Sequence, residues 1–134
     1  MSYAISASLQ AAVYQALSAD ADLTALVGTD IYDAIPSGTL PALYVSLGPE
    51  TAQDASDVTG TGAVHVFTVS VITATPGFAT AKQAAAAISD VLHDADLTLS
   101  RGRLVSLSFE RASAGRIDDG TGRKIDLRFR ARVE

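Results

Sequence analysis

Cysteine and tryptophan are both absent from the 134-residue sequence. Without cysteine there are no disulfides, no thiolate nucleophiles and no sulfur-based metal sites. Aromatic residues make up only 6% of the chain, so the core has to be built from aliphatic and alanine side chains. Cations are almost missing from the first hundred residues, where Lys82 stands alone against ten acids. Residues 101–134 reverse the balance, with nine cations against five acids, and the whole chain carries a net charge of −5. No apolar run approaches the ~20 residues needed to span a bilayer. The first eight residues show neither the basic cluster nor the apolar stretch of a secretory signal. The expectation is a soluble protein made in the cytoplasm, with no membrane partner.

What is present suits a folded domain. Hydrophobic residues reach 48% and charged residues only 19%, a balance that supports a core within one domain spanning 1–134. Ile5, Leu9, Val13 and Leu17 recur every four residues and predict a helix over residues 3–18. Asp20 and Asp22 are candidate N-caps for a short helix carrying Leu23, Leu26 and Val27, and Gly28 stands where such a helix ends. Pro76 opens a second long helix to about residue 93, with Phe78, Ala81, Ala85, Ile88 and Leu92 on one face.

Strands fill the remainder. Short ones are predicted at 31–34 and 43–47, separated by turn residues that include Pro36, Gly38 and Pro41. Residues 63–73 are apolar on both faces and predict a strand covered on both sides. Residues 103–112 place Val105, Leu107 and Phe109 on one face, and 114–122 reads as a hairpin connection. The last strand alternates cleanly: Ile125, Leu127, Phe129, Ala131 and Val133 face one way, Lys124, Asp126, Arg128, Arg130 and Arg132 the other. The fold class expected is α+β, a mainly antiparallel sheet of four to five strands with two long helices on one face. Residues 48–62, poor in large apolar side chains, read as a long mobile loop that orders on assembly, with Glu50, Asp54 and Asp57 as its candidate contact residues.

No catalytic motif emerges. His65 sits inside a strand and reads as a half-buried structural histidine, with no HxH or HExxH spacing to support a metal. His93 and Asp94 are adjacent, and on a helix such neighbours point in different directions. The glycine pairs of 60–62 and 120–122 are too short to cradle a phosphate, and Asp118-Asp119-Gly120 has turn chemistry rather than calcium-loop spacing. No enzyme activity, metal or cofactor is expected.

The arginine row of the last strand is the outstanding surface feature. Arg128, Arg130 and Arg132 could hold phosphates, but their strand face has no interleaved aromatics and the chain is acidic overall. Guanidinium groups pair carboxylates through two parallel bonds, so acids on a neighbouring copy are the better partner. The split of charge along the chain suits head-to-tail association of copies; pairing between neighbouring strands of one chain is the equal alternative.

The order of segments is familiar. An Ala/Leu-rich helix precedes Leu26-Val27-Gly28 and Ile31-Tyr32-Asp33, followed by the strand from Pro41 to Gly48. An Ala-rich helix then ends on Leu92-His93-Asp94, and a strand from Leu127 to Glu134 closes the chain. This pattern resembles the phage tail completion or tail terminator family of siphophages and gene transfer agents. The resemblance implies a structural virion protein: a hexameric ring between tail tube and neck, contacting the tube protein and a neck or stopper protein, with DNA passing through its channel without specific binding. It supplies no catalytic residues. A head–tail connector or stopper, and less closely a small nucleic-acid-binding module, are the competing readings.

Overall fold

The computed structural model describes residues 3–56 and 62–134. Helix α1 (Ser6–Ala19) starts after a turn and buries Leu9, Ala12, Val13 and Leu17, the stripe set by the apolar spacing. Asp20 then has two roles. Its extended backbone stops α1, and its carboxylate accepts the Leu23 N–H at 2.9 Å to cap helix α2 (Ala21–Val27). Gly28 ends α2 at a φ of +59°, a region that costs a residue with a Cβ.

Five strands follow: β1 (Ile31–Tyr32), β2 (Leu43–Asp54), β3 (Ala63–Thr73), β4 (Leu104–Ile117) and β5 (Gly122–Val133), with helix α3 (Ala79–Leu92) between β3 and β4. They form one sheet in the order β1-β2-β3-β5-β4. The β1–β2 pair is parallel and the other three are antiparallel, so the sheet is mixed. The fold is α+β, with three helices rather than the two long ones alone.

The helices cover the face bearing Ala63, His65, Phe67, Val69 and Val71 of β3 and Ile125, Leu127, Phe129, Ala131 and Val133 of β5, all buried. Phe129 is fully buried at the centre, stacked with Phe67 at 5.7 Å and edge-on to Phe109 at 5.9 Å. Ala81, Ala84, Ala85 and Ala87 line the buried side of α3 and let its backbone approach the sheet closely.

Three expectations are corrected. The segment Gly48-Pro49 does not end β2; it forms a bulge between Leu47 and Glu50, and the strand runs on to Asp54. A bulge tolerates a residue with no N–H to give to the ladder. Glu50 and Asp54 are therefore strand residues and not part of a mobile loop, while Asp57 lies outside the described residues. On β4, bulges fall between Leu104 and Ser106 and between Phe109 and Arg111. The first lets Leu104 and Leu107 both face the helices and leaves Val105 between them 44% exposed; Phe109 keeps the face of Leu107, opposite Phe129, and is 37% exposed on this edge strand. Finally, β3 is covered by helices on one face only; Val64, Val66 and Ile72 of the other face are half-buried among cross-strand neighbours.

Candidate functional site

The sheet face opposite the helices gathers five of the chain's ten cations. The alternation of β5 directs Lys124, Asp126, Arg128, Arg130 and Arg132 to this face, opposite Ile72, Ser70, Thr68, Val66 and Val64 of β3. On the other side of β5, register places Arg111 opposite Arg128, Ser108 opposite Arg130 and Ser106 opposite Arg132. The three arginines expected to act together do share one face, but they are not equivalent. Arg128 pairs with Glu110 at 2.6 Å, and the bulge is what brings that acid alongside. Arg132 donates to the Ala55 carbonyl at 2.8 Å. Arg130 lies exposed between them.

The Nε atoms of Arg128 and Arg132 are buried without a hydrogen-bond partner, so each guanidinium retains donor capacity. Beside Arg128 is a polar depression of about 240 Å³ whose lining includes Arg111, Lys124, Ser70 and Asp126. Ser70 donates to Asp126 at 2.6 Å, and Lys124 lies 3.7 Å from the same carboxylate. A face of this chemistry recognises carboxylates or other anions through charge-assisted bonds.

A second polar cluster lies on the helix side. The β2 bulge turns Glu50 inward, where it accepts hydrogen bonds from the Tyr3 hydroxyl and, at 2.7 Å, from the Ser6 hydroxyl. Its other oxygen is 3.1 Å from His65 Nδ1. His65 is fully buried, more than its strand context suggested, and its Nε2 has no partner. Partial burial pushes the Glu50 carboxyl up, but the hydrogen bonds from Tyr3, Ser6 and His65 outweigh it and hold the pKa below the ordinary value. The cluster ties the start of α1 to the sheet.

His93 also differs from expectation. Its Nδ1 accepts the Phe109 N–H at 3.0 Å, so that nitrogen is unprotonated, and its Nε2 lies 3.3 Å from Asp94. The two side chains meet because α3 ends at Leu92 and Asp94 has a φ of +58°, outside helical geometry. Together with the Asp94 N–H to the Leu107 carbonyl, this docks the end of α3 on the outer edge of β4.

Arg123 was not singled out in the sequence. It is 8% exposed, donates to the carbonyls of Gly120 and Gly122, and lies 5.0 Å from the Phe78 ring centre, with Lys82 5.4 Å from the same ring. Its place in the odd positions of the final strand was the only signal available. Among the described residues, no group of three or more His, Asp or Glu side chains is arranged to hold a metal ion, and no helix is long and apolar enough to cross a membrane.

These features tie the elements of the fold together and leave one charged face of the sheet open. A solved chain from a structure described as "Virion of native gene transfer agent (GTA) particle" is 65% identical, with a TM-score of 0.94 and coverage of 99% of each chain. No curated protein matches the sequence. The family model described as "Tail completion protein gp17" matches residues 11–134, and the chain belongs to that family.

Proposed function

We propose that the chain is a tail terminator subunit: six copies close a ring that caps the tail tube, stops its growth and joins it to the neck of a phage or gene transfer agent particle. Family membership over residues 11–134 carries this reading, together with the 65% identical chain from a gene transfer agent virion. The protein works in the virion, as a structural component without catalysis. Its partners are its own copies, the tube protein and a neck or stopper protein, and DNA passes through the channel without base-specific contact.

The chemistry of the open face is consistent with this use. Closing a ring needs two different complementary patches on each subunit. Arg130, exposed between two partly satisfied arginines, is the member of the row best placed to meet an acid on another molecule. Negative-stain imaging of the protein with its tube protein is the direct test. Rings seated on tube ends support the reading, rings that bind only the head-side connector assign the protein to the stopper, and the absence of rings in either mixture sinks it.

A further inference from the structure

The two ends of the sheet differ in charge, shape and exposed apolar surface. At one end is β1, only two residues long, followed by the connection 33–42 to β2. Every residue from Asp33 to Leu40 is exposed, including Ile35 at 48% and Leu40 at 38%. Pro36 and Pro41 restrict this connection, so holding it in one shape costs less entropy than for an ordinary loop of its length. Asp30 and Asp33 flank β1 at this end, and residues 1–81 contain no lysine or arginine.

At the other end is β4. His93 and Asp94 occupy its outer edge at Phe109 and Leu107, but beyond the second bulge the strand pairs only with β5. Register there puts Ala112 opposite Leu127, Ala114 opposite Ile125 and Arg116 opposite Arg123, so these three residues face the helix layer. Alanines are too short to fill the space between β4 and α3. What remains is a mostly apolar groove of about 280 Å³, floored by Phe109, Ala112 and Ala114 on the strand side and Ala85 and Ala86 on the helix side. Lys82 stands on its helix wall, and Arg116 continues the same face of β4. The turn acids Asp118 and Asp119 lie past Ile117, and Glu110 is engaged by Arg128.

We infer that this groove receives the connection 33–42 of a second copy of the chain. Ile35 and Leu40 enter the apolar floor, and Asp33 faces Lys82 and Arg116. The assignment rests on the ring reading above and gives it an interface. The occupant is a second copy because this chain itself offers the matching element: a stiffened loop with two exposed aliphatic side chains beside an acid. That loop sits at the opposite end of the sheet from the groove, so one copy cannot fill its own. The contact is therefore head-to-tail and repeats around a closed ring.

Charge exchange tests it. Three chains are produced in particle-forming cells: Asp33→Lys, Lys82→Glu with Arg116→Glu, and all three substitutions together. The altered residues are exposed, and an unchanged melting temperature for each purified chain verifies folding. Copies per purified tail are counted by quantitative mass spectrometry. Like charges set face to face across an interface predict a loss of about tenfold or more for each single-edge chain, and the combined chain recovers most of the wild-type count. A single-edge chain that assembles like wild type overturns the inference, as does a combined chain no better than either parent. Wild-type tails with several copies alongside neutral reversals sink the docking and leave the ring standing; wild-type tails with one copy sink both.

Discussion

Replacing Glu50 by leucine tests how strongly the β2 bulge and the start of α1 depend on one carboxylate. The substitution leaves the fully buried His65 with no partner for Nδ1, in addition to its already bare Nε2, and takes the acceptor from the Ser6 hydroxyl, which is itself buried. Tyr3 also loses its acceptor, but at 64% exposure water replaces it. One fully buried group and one nearly buried hydroxyl left unsatisfied cost about 2–3 kcal/mol together. For a chain of this size that lowers the melting temperature by roughly 7–10 °C. Glu50→Gln keeps an acceptor for the two hydroxyls and loses less. The pH dependence has a defined sign. The folded-state pKa of Glu50 lies below its unfolded value, so its stabilisation is present above the ordinary glutamate pKa and is lost as pH falls toward the folded one. Melting curves followed by circular dichroism from neutral pH into this acid range should show the gap between wild type and Glu50→Gln narrowing. A Glu50→Leu protein melting within about 2 °C of wild type, or a gap independent of pH, would refute the role assigned to the cluster.

Phe129→Ala empties the centre of the aromatic group and should cost about 3–5 kcal/mol, read as a lowered urea midpoint with unchanged slope. At Gly102, φ is +76° and an added Cβ would meet the Ile5 side chain and, at 2.8 Å, the Glu134 carbonyl. Gly102→Ala should therefore destabilise by more than about 1 kcal/mol in the same assay, since left-handed strain alone is of that size. Arg130→Glu should lower the mass of assembled rings in light scattering without moving the melting temperature; an unchanged mass removes this residue from the interface.

The sequence reveals elements whose periodicity runs unbroken. β3 occupies 63–73 as predicted, the alternation of β5 survives intact, and Asp20 and Gly28 bracket α2 as their chemistry requires. It misleads wherever one inserted residue resets the count. Gly48 and Pro49 look like the end of a strand, but they mark a bulge within it. Val105 fits the apolar face of β4 only if the alternation runs straight, and the bulge beside it turns the side chain outward. The polar clusters were hidden for a different reason. Glu50 and His65 are fifteen residues apart, and their meeting depends on the register of two strands and on that same bulge. The arginine row was visible as a pattern, but Glu110 becomes the partner of Arg128 only because it bulges toward that face.

The arginines of the open face also resolve a difficulty posed by β3. A strand with Val64, Val66 and Ile72 on its uncovered side would present a sticky ribbon on a lone subunit. The register sets Arg132 opposite Val64, Arg130 opposite Val66 and Lys124 opposite Ile72. Long aliphatic stems beside these residues shield them, and the charged heads remain at the rim. The Nε atoms of Arg128 and Arg132 are buried while their outer nitrogens reach Glu110 and the Ala55 carbonyl, as expected of side chains lying flat on the sheet. One row of residues thus covers the apolar side chains of β3 and leaves the Arg130 head exposed, where the proposed subunit contact would use it. The polar groups of this face are spread along a strand, an arrangement suited to contact along a surface.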